Sequence, residues 1–450
     1  MSKDALDLTE GPVVPRLLQF TLPIFLGNFF QQLYNVVDSM VVGNFSGPEA
    51  LAAVSTSGTL IFMMVGFFNG LAVGAGVVIS NAFGARDVPR LRRAVHTDIA
   101  FGLAAGAALT VFAVLFTPKI LEAINVPEEI LPLSKAYFRV YSSGILFSVM
   151  YNILMGIMNA VGDSRHPLYY LLLSSAVNIL LDLLFVAVMG LGVSSVAFAT
   201  ILSQGVSAVL CFIQLLTRGE VCRVRLGEIR FHRQELLNII RFGLPAGLQN
   251  SLLAIGNTLV QRHINSFGAA VMAGFGVYSK LEGFILLPMK SLSLSLTTYV
   301  GQNTGARQYE RTLKGVKWGY ALAMGSAEVV GTLMYLFAPQ LIALFTDDSA
   351  IIAAGVRQCR IECFLYFLPA FTHATAGTLR GVGRAVVPTA AIFVCWCVLR
   401  NVIISLRLCF VNSADVVYTT FPITWTLSCA FLLVYMLRVD WLHAMDREKL

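Results

Sequence analysis

Residues 17–28, LLQFTLPIFLGN, return as residues 239–250, IIRFGLPAGLQN. Phe20, Leu22, Pro23 and Asn28 land on Phe242, Leu244, Pro245 and Asn250 at an offset of 222. Further along, at an offset of 221, Gly84-Ala85-Arg86 falls on Gly305-Ala306-Arg307, and Phe116 and Pro118 fall on Phe337 and Pro339. Gly156, Val161, Gly162 and Pro167 likewise fall on Gly377, Val382, Gly383 and Pro388. So steady an offset marks a duplicated chain.

The duplicated unit belongs in a membrane. Of the 450 residues, 57% are hydrophobic and 13% charged, against about 25% charged in a soluble domain. Apolar stretches long enough to span a bilayer recur from end to end. This leaves no room for a Rossmann domain, a P-loop motor or a nucleic-acid module. The net charge is +7, but the basic residues sit in short loops between apolar segments. They read as topology signals and not as a nucleic-acid footprint.

Apolar runs read against polar breaks give twelve candidate helices: 15–42, 51–82, 94–116, 133–161, 167–189, 193–217, 237–264, 270–301, 314–337, 355–380, 386–409 and 415–438. Each can cross a hydrocarbon core about 30 Å thick. Basic residues alternate along the loops. One set of loops carries Arg86, Arg90, Arg92 and Arg93; Arg165; Arg218, Arg223, Arg225, Arg230 and Arg233; Arg307, Arg311, Lys314 and Lys317; and Arg380 and Arg384. The tail adds Arg438, Arg447 and Lys449, whereas the loops after spans 1 and 5 carry none. The positive-inside rule predicts a multi-pass protein of the cell membrane with both termini cytoplasmic. The opening MSKDALDLTEGPVV lacks the parts of a secretory signal, so the first helix is expected to be retained.

Six spans per half mean that both halves enter the membrane in the same direction. The fold expected is all-α, with twelve transmembrane helices in two parallel-repeat six-helix lobes around a central cavity. The lobes are 1–217 and 237–450, joined by a cytoplasmic linker, 218–236. Two such lobes, rocking about a midplane site, suit a transporter, and a monomer is expected. An enzyme is not. There is no His-Glu-x-x-His, and His96, His166, His232, His263, His373 and His443 are scattered. The eight cysteines include the close pairs Cys359/Cys363 and Cys395/Cys397. With no histidine ligand nearby they read as small hydrophobes within helices. No cofactor is expected.

In order, and twice over, these motifs resemble the multidrug and toxic compound extrusion (MATE) transporters. The resemblance rests on Pro23, on the Val37-Asp38-Ser39-Met40-Val41-Val42-Gly43 segment, and on Gly84-Ala85-Arg86 with Gly301-Gln302-Asn303-Thr304-Gly305-Ala306-Arg307. Gly156 to Pro167 and Gly377 to Pro388 complete it. It implies a two-lobed exporter of lipophilic, cationic small molecules, driven by a Na⁺ or H⁺ gradient through alternating access. Its expected partners are small organic cations or other lipophilic drugs, and membrane lipids. The alternative is a flippase for a lipid-linked or polysaccharide precursor, a related design that often has more spans and more basic cavity residues.

Ionisable side chains at membrane depth are functional candidates, because each costs about 2.5–3.5 kcal/mol on insertion scales. Asp38 lies about five residues, roughly 7–8 Å of rise, inside the outer end of span 1. Asn178 and Asp182 share a face of span 5 at i and i+4, and Thr200 lies inside the outer end of span 6. Two carboxylates, an amide oxygen and a hydroxyl suit Na⁺, or a proton shared between the acids. The resemblance points the same way. The DinF-like branch, which the chain is most similar to, builds its cation site from an aspartate on helix 1, an Asn-x₃-Asp pair on helix 5 and a threonine on helix 6.

The second half keeps no such set, since the position matching Asp38 is near Val260. Glu282 falls near mid-membrane, either as an ion pair with Lys280 or as a contact for a cationic substrate or a second proton carrier. Glu328 and Glu362 are expected to be structural, Glu362 at the outer start of span 10. Arg400 is expected to snorkel or to pair with a glutamate. Tyr34, Met63, Met64 and Phe68 are candidates to line a cavity for flat cations, because aromatic faces attract cations and methionine repacks. Pro23 frees a carbonyl in span 1 and permits a bend. The resemblance implies a hinge there, and a static kink is the alternative. Substrate identity, and the choice between Na⁺ and H⁺, leave no mark in the sequence.

Overall fold

The computed structural model describes residues 6–124, 126–217 and 223–444. Arg218 and Cys222 of the linker, and Arg447 and Lys449 of the tail, lie outside the described residues. Every regular element among those described is a helix. In chain order, the first half gives α1 (Val13–Ser46), α2 (Pro48–Gly84), α3 (Val88–Ala123), α4 (Leu131–Ser143 and, after a 48° bend, Ile145–Ala160), α5 (Arg165–Val188) and α6 (Ser194–Thr217). The second gives α7 (Arg233–Asn265), α8 (Ala269–Gly305), α9 (Tyr309–Ala343), α10 (Ser349–Glu362 and Phe367–Gly381), α11 (Val386–Leu408) and α12 (Ala414–Arg438).

Nine described helices are long and apolar enough to cross a membrane, ten if the bent α4 counts as one span. The two expected spans outside that count fall on α7 and α10. Arg241, Gln249, Asn250, Asn257, Gln261 and Arg262 dilute the apolar character of α7. A 3₁₀ turn at Cys363–Leu365 breaks α10 into two short pieces.

The duplication is written into the backbone. Six of the eight described residues with positive φ fall into three pairs at the offset of 221: Gly47 with Gly268, Arg86 with Arg307, and Gly162 with Gly383. Each pair repeats one turn. The N–H groups of Ala85, Arg86 and Asp87 bond to the carbonyls of Asn81, Phe83 and Ala82, and those of Ala306, Arg307 and Gln308 bond to Gln302, Thr304 and Asn303. Helix starts are capped in the usual way. Asp87 accepts from the Arg90 N–H at 3.0 Å, and Asp348 accepts from Ala350 at 2.8 Å.

Contacts divide the chain into two units, one of Leu22–Gly247 with the chain up to Asp7, the other of Leu8–Thr21 with the chain from Leu248. Both cuts fall beside the paired prolines, Pro23 and Pro245. In the first unit, the second segment of α4 packs on α2, α3 and α6. In the second, the matching segment of α10 packs on α8, α9 and α12. The residues that lead into α7 are stitched to α3. His96 Nε2 accepts the Arg225 N–H at 3.0 Å, so its Nδ1 carries the proton and donates to the Arg92 carbonyl at 2.7 Å. His232 meets the Thr97 hydroxyl at 3.1 Å, and burial beside Arg230 pushes its pKa down.

Within the first unit, α2 crosses the start of α7 at glycines spaced four apart. A Cβ on Gly70 would lie 2.3 Å from the Gly247 nitrogen, and one on Gly74 would lie 2.2 Å from the Gly243 Cα. Small residues at this spacing let two backbones touch without side chains between them. Because backbone cannot move aside as a side chain tip does, Gly74→Ala is expected to cost about 1–3 kcal/mol, the usual penalty of overpacking. Gly276→Ala, where a Cβ meets nothing within 4 Å, is expected to be neutral or slightly stabilising. Thermal melts of the two purified variants distinguish these outcomes, and equal melting temperatures would refute the backbone contact.

Candidate functional site

The four oxygen-bearing residues singled out in the first half are brought together within the first unit. On α5, Asn178 and Asp182 are fully and almost fully buried, one turn apart, and the helix changes to π winding immediately after, at Leu183–Val188. Such π segments cluster at functional sites because they re-aim side chains. The Asn178 amide satisfies both neighbours when its nitrogen donates to Asp182 Oδ2 at 3.0 Å and its oxygen accepts the Thr200 N–H at 3.2 Å. The Thr200 hydroxyl donates to the Val196 carbonyl at 2.9 Å.

Asp38 reaches this group from α1, its carboxyl within hydrogen-bond reach of that of Asp182. Two carboxyls in contact need a proton or a cation between them. Asp38 Oδ1 and Asp182 Oδ1 are both buried without a partner among the described residues. Away from water such oxygens are costly; the same unit holds another on Asp98, away from this cluster on α3.

Three tyrosines, two of them unanticipated, close the cluster. Tyr34, one turn before Asp38, bonds the Thr200 hydroxyl. Tyr137 and Tyr141, stacked with centroids 6.4 Å apart on α4, lie close enough to Asp38 to feel its charge. Tyr34, expected among the cavity aromatics, belongs to the acidic cluster as well. The signal for the α4 pair is its i, i+4 spacing, the same spacing that marks Asn178 and Asp182. Of the other lining candidates, Met63 and Met64 are half-buried on α2, whereas Phe68 is buried with its ring edge-on to Phe67. Pro23 lies inside an unbroken α1.

The second unit holds its own buried charges. Glu362, expected near a helix start, closes the first segment of α10 and is fully buried, because that helix begins at Ser349. It accepts from Tyr278 at 3.2 Å and from Gln358 at 3.0 Å. Tyr278 in turn bonds the Tyr366 hydroxyl. Gln358 and Glu362 stand one turn apart on one face of the first segment, a spacing legible in the sequence, and Tyr366 follows the 3₁₀ turn.

Arg400 lies over the Phe421 ring at 4.1 Å and donates to Thr424 at 3.2 Å. Its charged neighbours are Glu282 and Glu362. The ion pair expected as one alternative, between Lys280 and Glu282, does not form. Lys280 lies over the Phe345 ring at 5.9 Å, while Glu282 faces Arg400 and Lys290. Glu328 accepts the Phe367 N–H at 2.9 Å and so caps the second segment of α10. Cys359 and Cys363 are free thiols, buried with their sulfurs 3.1 Å apart.

The MatE family model matches residues 23–184 and, a second time, residues 245–405. The chain belongs to this family. It is a MATE transporter and not an enzyme. The two matched stretches start 222 residues apart, the same offset as the first repeated motif. Over 385 residues the chain is 27% identical to the probable multidrug resistance protein YoeA of Bacillus subtilis, covering 84% of this chain and 83% of that one. Over 400 residues it is 27% identical to the probable multidrug resistance protein NorM of Thermotoga maritima, covering 87% and 85%. A solved MATE family transporter of the MOP superfamily, in an outward-facing conformation, superposes with a TM-score of 0.92 over 98% of this chain and 99% of that one, at 23% identity.

In this MATE chain the two clusters make opposite demands on stability. Arg400 is 3% exposed and Glu362 is fully buried, so removing the cation alone strands buried acid. Arg400→Met is expected to cost about 3–5 kcal/mol, and Arg400→Met with Glu362→Gln to recover a substantial part. Arg357→Met, which breaks the exposed pair with Asp415, is expected to cost under about 1 kcal/mol. Melting temperatures in one detergent test the order; a double variant no more stable than Arg400→Met would show that Glu362 is not what Arg400 compensates.

Proposed function

We propose that this chain is a secondary active exporter that exchanges lipophilic, cationic small molecules for Na⁺ or H⁺ across the cell membrane, with both termini cytoplasmic. The observation that carries the reading is the pair of unpartnered carboxylate oxygens on Asp38 and Asp182, set beside the oxygens of Asn178 and Thr200. Export of drugs is taken from the relatives, which are named multidrug resistance proteins.

The chemistry follows from the charge. Empty and deprotonated, the site holds two adjacent negative charges, which favour a state open to water. A proton on one acid, or Na⁺ among the four oxygens, neutralises part of that charge and favours a closed state. Coupling needs only that ion and drug stabilise opposite states. On this reading the lobes 1–217 and 237–450 rock about the 218–236 linker, and Pro23 lets α1 bend when Asp38 changes charge. Tyr34, Met63 and Met64 offer adaptable surface to flat cations. The site is most like that of the DinF-like branch.

Purified protein in liposomes, loaded with a fluorescent organic cation and driven separately by a proton and a Na⁺ gradient, tests this. One gradient is expected to drive transport, and Asp38→Asn and Asp182→Asn each to reduce it at least tenfold. Tyr34→Phe, which removes one hydroxyl and no charge, is expected to reduce it less. Undiminished transport by folded Asp38→Asn protein would overturn the site, and no response of the wild type to either gradient would overturn the exchange.

A further inference from the structure

Arg86 and Arg307 stand at equivalent turns and are, among the described residues, the two outside glycine with positive φ, 58° and 55°. This left-handed conformation costs an L residue roughly 1 kcal/mol, and helices usually end there on glycine. An arginine held twice in a conformation that glycine would adopt without strain implies a use for the side chain. For Arg86 the use is visible. Its Nη2 donates to the Asp7 carboxylate at 2.6 Å.

Arg307 meets no such carboxylate among the described residues. It opens onto a cavity of about 550 Å³ lined by Gly11, Pro12 and Val13 and by the residues from Arg307 to Arg311, with Lys314. Arg311 spends its donors on the walls. Its Nε, Nη1 and Nη2 donate to the carbonyls of Leu8, Gly11 and Glu10 at 3.1, 2.7 and 3.0 Å. It fixes the chain that forms one side, and carbonyls leave its positive charge in place. The side chains of Arg307 and Lys314 find neither acceptor nor carboxylate among the described residues. Glu310 lines the cavity too, so three cations face one acid.

We propose that this cavity binds a phosphate group, with Arg307 and Lys314 as the ligating side chains, and that the group is the headgroup of an anionic phospholipid. The carboxylate on Arg86 is the internal counterpart of the anion that Arg307 takes from outside. The cavity lies at the start of α9, where Arg307 precedes the helix and Arg311, Lys314 and Lys317 stand on its first turns, and such basic pockets meet anionic headgroups. That the leaflet is the cytoplasmic one rests on the orientation proposed above; the binding itself does not depend on it.

The test uses the full chain in a neutral detergent, with added phosphatidylglycerol, phosphatidylcholine of the same acyl chains, or inorganic phosphate. Native mass spectrometry counts bound lipid, and thermal melts measure its effect. Wild type is expected to retain phosphatidylglycerol, and not phosphatidylcholine, with a rise in melting temperature of several degrees. Arg307→Ala with Lys314→Ala is expected to lose at least half of that rise and one bound lipid. Lys317→Ala with Arg233→Ala removes an equal charge from residues outside the cavity, and is expected to lose neither. Should the double variant fail to fold, Arg307→Gln alone is compared with Lys317→Ala. A rise reproduced by millimolar phosphate alone would support the phosphate site and overturn the lipid as its occupant. Equal retention and equal shifts in wild type and variant overturn the proposal.

Discussion

A carboxylate taken out of water must be neutralised by something, and the two halves of this chain meet that demand differently. In the second unit cations lie near the acids. Glu282 has Arg400 and Lys290 as charged neighbours, Glu362 has Arg400, and Tyr278 and Gln358 donate to the two Glu362 oxygens. In the first unit no cation among the described residues reaches Asp38 and Asp182, and each keeps an oxygen without a protein partner. Neutralisation there has to come from outside the chain. A group that arrives and leaves is what separates a transport site from a structural one, so the contrast favours the first unit as the seat of the coupling chemistry.

How the same scaffold yields both is readable position by position. Tyr137 and Tyr141 on α4 correspond, at the offset of 221, to Gln358 and Glu362 on α10. Asp38 on α1 corresponds, at 222, to Val260, which is buried in apolar surroundings. The acid has moved from the first helix of the lobe to the fourth, and a cation has appeared on the fifth. In both lobes the charge on that fifth helix flanks a π segment: Asp182 precedes Leu183–Val188 and Arg400 follows Phe393–Leu399. An extra residue in a turn rotates the helix beyond it, so a π segment changes which face a charge presents while the winding on either side stays regular.

The fold was largely legible because membranes leave few choices. Backbone in hydrocarbon must bond to itself, so apolar runs become helices, and the twelve runs match the helices observed to within several residues at most ends. The repeat was legible because its turns need particular residues: the glycines at 47, 162, 268 and 383 carry positive φ. The acidic site was legible because Asn178 and Asp182 are one turn apart. What stayed hidden depended on tertiary packing. The acids near Arg400 lie 38 and 118 residues before it in sequence, and nothing local to Arg400 points to either. Glu362 was misplaced because the apolar run that marks a span begins later than the helix does. The tyrosines of α4 were hidden because an aromatic in a membrane helix is so ordinary.

Duplication explains why a chain would carry matched features of unequal use. A gene copy preserves backbone geometry first, since the turn at each helix end must still close. Side chains then diverge wherever their partner is lost or replaced. Arg86 and Arg307 keep one conformation while only Arg86 keeps an internal acid. Pro23 and Pro245 keep one place while only Pro23 shares its helix with Asp38, whose Oδ1 is buried. On the exchange proposed above, this asymmetry would leave Asp38 and Asp182 as the acids that answer to an incoming ion.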